Sequence, residues 1–151
     1  MSNVSLNVKS AGRSMGLFSR TKLASRSAST ATNNKQSGHH YETLALQHLQ
    51  RQGMTLISRN FSAKCGEIDL IMRDSETIVF IEVKYRQHAQ YGHAAEAVTP
   101  KKARRVMKTA QVWLAKNNLS VHNTDMRFDV VALHKQGQQV EWIKSALTEI
   151  Y

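Results

Sequence analysis

The sequence predicts a single α/β domain, read in order as helix, three strands, helix, two strands. Three observations carry this. Apolar residues recur at helical spacing in "HHYETLALQHLQRQG" and again after Thr99-Pro100. Between those helices lie three short runs rich in β-branched and aromatic residues. Two of these runs, "GEIDLIMR" and "TIVFIEVKYR", are apolar at both odd and even positions, as expected of strands covered on both faces.

The first helix places Tyr41, Leu44, Ala45, His48 and Leu49 on one stripe and stops at Gly53, a residue that suits a helix C-terminus. At ~100° per residue, Glu42 falls between Leu49 and Leu46, inside that stripe. A carboxylate near a helix start also interacts favourably with the helix dipole, which is an ordinary structural role for it. "MTLISRNFSAK" reads as the first strand. "GEIDLIMR" and "TIVFIEVKYR", joined through the polar turn "DSE", read as the second and third. Such short connections predict antiparallel neighbours. Thr99 is a suitable N-cap and Pro100 suits the first helical position. The helix that follows is expected to reach about Asn118 and to bury Ala103, Val106, Met107, Ala110, Trp113 and Leu114. "RFDVVALH" and "QVEWIKSA" complete the set, and no internal repeat is present.

The chain has 151 residues and a formal charge of +10. Six of its 21 basic residues (Lys9, Arg13, Arg20, Lys22, Arg26, Lys35) and none of its 11 acids lie in residues 1–37. The remaining 15 basic and 11 acidic residues leave +4 for residues 38–151. The sequence therefore divides into a Ser-rich basic arm, 1–37, expected to be disordered because it cannot bury enough surface to offset its ordering entropy, and one domain, 38–151. The arm also has the acid-free, Ser- and Arg-containing composition of a transit peptide, and Met15 offers an alternative start. Net positive charge favours polyanions such as nucleic acid or anionic membrane, without identifying the partner. Cys65 is the only cysteine, which excludes an intrachain disulfide and a multi-thiolate zinc site. No apolar run approaches the roughly 18 residues of a membrane span. The expectation is a cytoplasmic protein without a membrane partner.

The charges in the second and third strands are the chemical signal. By alternation Glu67 and Asp69 share one face, with Ile68, Leu70 and Met72 opposite, while Glu82 and Lys84 point together on the next strand. In strands apolar on both sides, such charges must reach the sheet's end or be paired. One arrangement is an ion-pair ladder, with Lys84 against Glu67 or Asp69. The other brings Asp69 and Glu82 together on a divalent cation, Mg²⁺ or Mn²⁺, near the Val83 carbonyl, with Lys84 beside it and Glu42 arriving from the first helix. Three acids and one base leave excess negative charge, which the second arrangement uses and the first does not.

"GEIDLI" followed by "FIEVKYR", with the helical Glu42 before and "RFDVV" after, resembles the YraN family of small bacterial proteins over roughly residues 39–147. The Asp69…Glu82-x-Lys84 portion resembles the restriction endonuclease-like, or PD-(D/E)XK, nuclease superfamily, with Holliday-junction resolvases as the closest analogy. The resemblance implies an αβββαβ core with a mixed central sheet flanked by helices. It implies Asp69 and Glu82 as metal ligands, Lys84 as helper to the catalytic base, and Glu42 as a helical acid that joins the metal site. The superfamily's proline before the aspartate is absent here, its place taken by Ile68. The activity implied is metal-dependent hydrolysis of DNA phosphodiesters, in branched or damaged structures. A homodimer fits cleavage of two strands. A non-cleaving nucleic-acid-binding module is the alternative, and shared fold does not decide between them.

Lys101, Arg105 and Lys108 share a helical face suited to tracking phosphates, and Arg86 follows directly on the Lys84 strand. Asp129 is expected to pair with Arg127 or a neighbouring basic side chain, in a structural role. Seven histidines show no HExxH spacing, and neither GxxxxGK[ST] nor GxGxxG occurs, which argues against zinc-hydrolase and nucleotide-driven chemistry. Cys65 reads as a small core thiol.

Overall fold

The computed structural model describes residues 22–86 and 98–147, with side chains from residue 36 onward. Expectations about residues 1–21 and most of "RQHAQYGHAAEAV" therefore lie outside the described residues. The chain divides into a unit of residues 1–33 and one of residues 34–151, and the account below concerns the second.

Helix α1 spans Lys22–Arg51, so helical backbone begins inside the segment expected to be disordered. No Pro or Gly lies between Lys22 and Ser37, and a helix already nucleated propagates through such a stretch without a breaker. It ends where expected. Gly53 takes a φ of 93°, and the Met54 N–H donates back to the Leu49 carbonyl at 3.2 Å.

The strands are β1 (Thr55–Ala63), β2 (Gly66–Asp74), β3 (Thr77–Arg86), β4 (Met126–His134) and β5 (Gln139–Ile143), in spatial order β1-β2-β3-β4-β5. β1/β2, β2/β3 and β4/β5 are antiparallel, and β3/β4 is parallel. Parallel neighbours need a crossover, and helix α2 (Pro100–Lys116) supplies it. The result is the expected mixed sheet with helices on its faces. Thr99 caps α2 through its hydroxyl, which accepts the Lys102 N–H at 3.3 Å.

Two cores form, one on each face. On one side Ala45, Leu46 and Leu49 of α1 pack on Leu70, Met72, Val79, Ile81, Val131 and Leu133. On the other, Ala103, Val106, Ala110, Trp113 and Leu114 of α2 cover Ile68, Ile71, Ile78, Phe80 and Phe128. Phe80 meets Trp113 edge-on at 5.8 Å and stacks on Phe128 at 5.3 Å between centroids. Met107 is only half-buried, while Thr109 is fully buried and donates to the Arg105 carbonyl at 2.8 Å.

One expected face is corrected. Ile68 packs on the α2 side, not with Leu70 and Met72 on the α1 side. The β2–β3 pairing stops at Leu70↔Ile81, whereas β2 remains paired to β1 through Gly66. Residues of β2 before Leu70 thus follow β1 alone and turn away from β3. The two strands fork.

Candidate functional site

Asp69 and Glu82 sit one residue beyond the last β2–β3 pair, at the mouth of the fork. Separation of the strands leaves the Val83 N–H without a backbone partner from β2. The Asp69 carboxylate takes it, its Oδ2 accepting that N–H at 2.7 Å. Beside this bond opens a cavity of ~420 Å³ lined by Glu67, Asp69, Glu82, Lys101, Lys102 and Arg105, among others. The charges lie at the fork between β2 and β3, beside this cavity, rather than between two paired strands.

Glu82 is nearly enclosed, its side chain 12% exposed, and its Oε1 receives two ammonium groups. Lys84 Nζ lies 3.1 Å away, and Lys102 Nζ, from the first turn of α2, bonds the same oxygen. Lys84 therefore pairs with its strand neighbour Glu82, not with Glu67 or Asp69 across the strands as a ladder would require. Lys102 was not singled out by the sequence. The separation of 20 residues between it and Glu82 runs from β3 into the start of α2. Its only sequence signal is its place just inside the capped start of a helix that packs on β2.

The electrostatics follow from this crowding. Burial, then repulsion from Glu82, and more weakly from Glu42, raise the Asp69 carboxyl to about 7, although the Val83 N–H and Lys102 act to lower it. Burial and the hydrogen bond with Lys102 lower Lys84. Burial alone would lower Lys102 as well, but its hydrogen bonds to Glu82 and Lys84 prevail and raise it. The two ammonium groups are thus shifted in opposite directions, Lys84 down and Lys102 up.

Glu42 lies on α1, on the opposite side of the sheet from α2. Its Oε2 is 3.4 Å from His39 Nδ1 and 3.8 Å from Arg59 Nη2, and it is buried without a hydrogen bond. Arg59 also donates to the Thr43 hydroxyl at 3.1 Å, so β1 holds a cation beside the helical acid. Glu42 acts on Asp69 through its field, but it does not join a three-ligand set. Among the described residues no three His, Cys, Asp or Glu side chains are grouped to hold a metal. Two carboxylates suffice for a hard ion that keeps its waters and binds phosphate oxygens. Asp69 and Glu82 offer oxygen donors, mutual repulsion that a cation relieves, and a cavity that admits it. The pair fits Mg²⁺ or Mn²⁺ as a two-carboxylate site.

Of the residues expected to track phosphate, Lys101 and Arg105 line the cavity, and Arg105 Nε is further held by the Cys65 carbonyl at 3.2 Å. Lys108 is exposed on the same helix but does not line it. Arg86 is half-buried at the end of β3. The neighbouring Tyr85 ring stacks on Tyr41 at 3.9 Å with 7° between planes. Asp129 has its expected structural role. It is fully buried and accepts from Arg127 Nε at 3.1 Å, Trp142 Nε1 at 3.0 Å and the Ser145 N–H at 2.9 Å. Cys65 is half-buried, with Sγ 3.4 Å from the Thr109 hydroxyl. No described helix is long and apolar enough to cross a membrane.

Comparison with known proteins gives one family. The model of "Uncharacterised protein family UPF0102" matches residues 41–133, a range that includes Glu42, Asp69, Glu82, Lys84 and Lys102. A UPF0102 protein of Vibrio cholerae is 50% identical over 117 residues, 78% of this chain and 96% of that relative. One from Vibrio campbellii is 49% identical over 135 residues, 89% of this chain and 99% of its own length. One from Aliivibrio salmonicida is 51% identical over 117 residues, 78% and 95% of the two chains.

Proposed function

The chain belongs to the UPF0102 (YraN) family, and from the forked two-carboxylate cavity we propose that it is a divalent-metal-dependent nuclease. Its reaction is hydrolysis of phosphodiester bonds in DNA, with branched or damaged DNA as the substrate class. The observation that carries this reading is the placement of Asp69 and Glu82, from adjacent strands, on one cavity with Lys84 bonded to Glu82 at 3.1 Å.

Asp69 and Glu82 would hold Mg²⁺ or Mn²⁺. When bound, the ion supplies Lewis-acid polarisation of the phosphate and lowers the pKa of attacking water. The protein's own groups do the rest. The Val83 N–H fixes the Asp69 carboxylate. Lys84, bonded to Glu82 beside the cavity, can donate a hydrogen bond to the attacking water and orient it. Lys101 and Arg105 supply positive charge for the phosphates on either side of the scissile bond. Glu42 keeps the field at Asp69 negative, which favours a cation there.

A second reading is a nucleic-acid-binding module that does not cleave. The observation favouring it is that Glu42 does not complete a three-ligand set. One experiment separates the two. Cleavage of linear, flapped and four-way-junction DNA is assayed with Mg²⁺ or Mn²⁺, using wild type, Asp69→Ala, Glu82→Ala and Lys84→Ala. The nuclease reading expects a loss of at least about 100-fold for each. Undiminished cleavage by Glu82→Ala refutes it. DNA binding by all four proteins with cleavage by none establishes the module.

A further inference from the structure

We propose that Lys102 is a positioning residue that holds the cation position between Asp69 and Glu82 when no divalent ion is present. It transfers to the substrate phosphate when such an ion enters. This rests on the two-carboxylate reading above and assigns a role to a residue which that reading leaves unused.

Glu82 Oε1 is bonded by both Lys84 Nζ and Lys102 Nζ. A carboxylate oxygen offers two lone pairs, so with both ammonium groups in place this oxygen has no vacant position for an ion. An ion that binds Glu82 through this oxygen, rather than through Oε2, displaces one of the two. Lys84 is fixed by β3, two residues from Glu82 and on the same strand face, with its side chain 24% exposed. Lys102 approaches from a different element, and its side chain is 38% exposed. Its backbone is anchored by the Thr99 cap, and its long flexible side chain already lines the cavity. Lys102 is the group that can move without disturbing the sheet.

The destination is also defined. Lys101 and Arg105 line the same cavity, so a released Lys102 ammonium joins two cations already facing it. Charge balance favours the exchange. Asp69 and Glu82 are neutralised by Lys84 and Lys102 in the ion-free protein. A divalent ion entering beside both lysines leaves a surplus of two positive charges, which a phosphodiester backbone offsets. Ion entry and phosphate capture are thereby coupled through one side chain.

The test is Mn²⁺ binding to the full chain by titration calorimetry, without nucleic acid, for wild type, Lys102→Met, Lys102→Arg and Glu82→Gln. Retained secondary structure is verified for each by circular dichroism. The expected result is tighter Mn²⁺ binding by Lys102→Met, by about tenfold or more. Lys102→Arg, which keeps the charge, should bind like wild type, and Glu82→Gln should lose binding. Wild-type binding that depends on Glu82 but is unchanged or weakened in Lys102→Met overturns this inference and leaves the two-carboxylate site standing. No Mn²⁺ binding by either wild type or Lys102→Met overturns both.

Discussion

Replacing Asp69 by Asn keeps an oxygen for the Val83 N–H and removes the ionisation, which makes the cost of the buried carboxylate measurable. The Asp69 carboxyl rises from 3.8 to about 7, first through burial and then through repulsion from Glu82. A carboxyl raised in this way binds its proton more tightly in the folded chain than in the unfolded one. Its contribution to stability is fully present below the unfolded value of 3.8 and is lost as pH rises through about 7. The gap is about 3 units at ~1.4 kcal/mol each, so wild type forfeits on the order of 4 kcal/mol between acid and mildly alkaline pH. That is a large part of the roughly 5–15 kcal/mol that stabilises an ordinary domain. Urea unfolding of both proteins in EDTA, from about pH 4 to about pH 8, measures it. The Asn variant should be more stable than wild type at the alkaline end, and the difference should close toward the acid end. Using the difference cancels charge effects common to both proteins. A difference that stays flat across this range refutes the argument that Asp69 is forced into a costly site.

Two further outcomes are expected. Asp129→Ala removes the acceptor of Arg127, Trp142 and the Ser145 N–H together; breaking a buried charge cluster in this way costs about 3–5 kcal/mol, read as a shift in the urea midpoint. Tyr41 is raised above 10.0, first by its hydrogen bond with Tyr85; ultraviolet titration of Tyr85→Phe should show one tyrosine ionisation moving down toward that ordinary value.

Much of the fold was legible because its signals are local. Thr99-Pro100 marks the α2 start, and Gly53 ends α1 at the predicted turn. Asp69, Glu82 and Lys84 stood out because charge inside doubly apolar strands demands an explanation. What escaped is non-local. Counting positions along α2 grouped Lys101, Arg105 and Lys108, yet the first turn of α2 delivers Lys102 to Glu82, and no spacing within either segment records that contact. The face of Ile68 was misjudged because strict alternation assumes a continuous sheet, and the end of the β2–β3 pairing cannot be seen in β2 alone. Glu42 stood out by its place within an apolar stripe, but the stripe does not say what the carboxylate meets. Its actual neighbours, His39 and Arg59, depend on how β1 passes beneath α1.

The fork joins these points into one physical argument. Where β2 parts from β3, a backbone N–H at Val83 is left to be satisfied, and a carboxylate at position 69 meets that demand. The same placement puts the carboxylate next to Glu82 and within the field of Glu42, where its charge is unfavourable. A hydroxyl or amide could accept the same N–H without that repulsion, so the choice of an acid is not explained by folding alone. Lys102 and Lys84 neutralise the pair, but through Glu82, leaving Asp69 with an opposing charge nearby rather than a bonded one. The residual cost at Asp69 is relieved by protonation at low pH or by a cation at higher pH. A divalent ion should therefore restore stability to wild type above about pH 7, and restore none to Asp69→Asn, whose neutral amide has no charge to relieve.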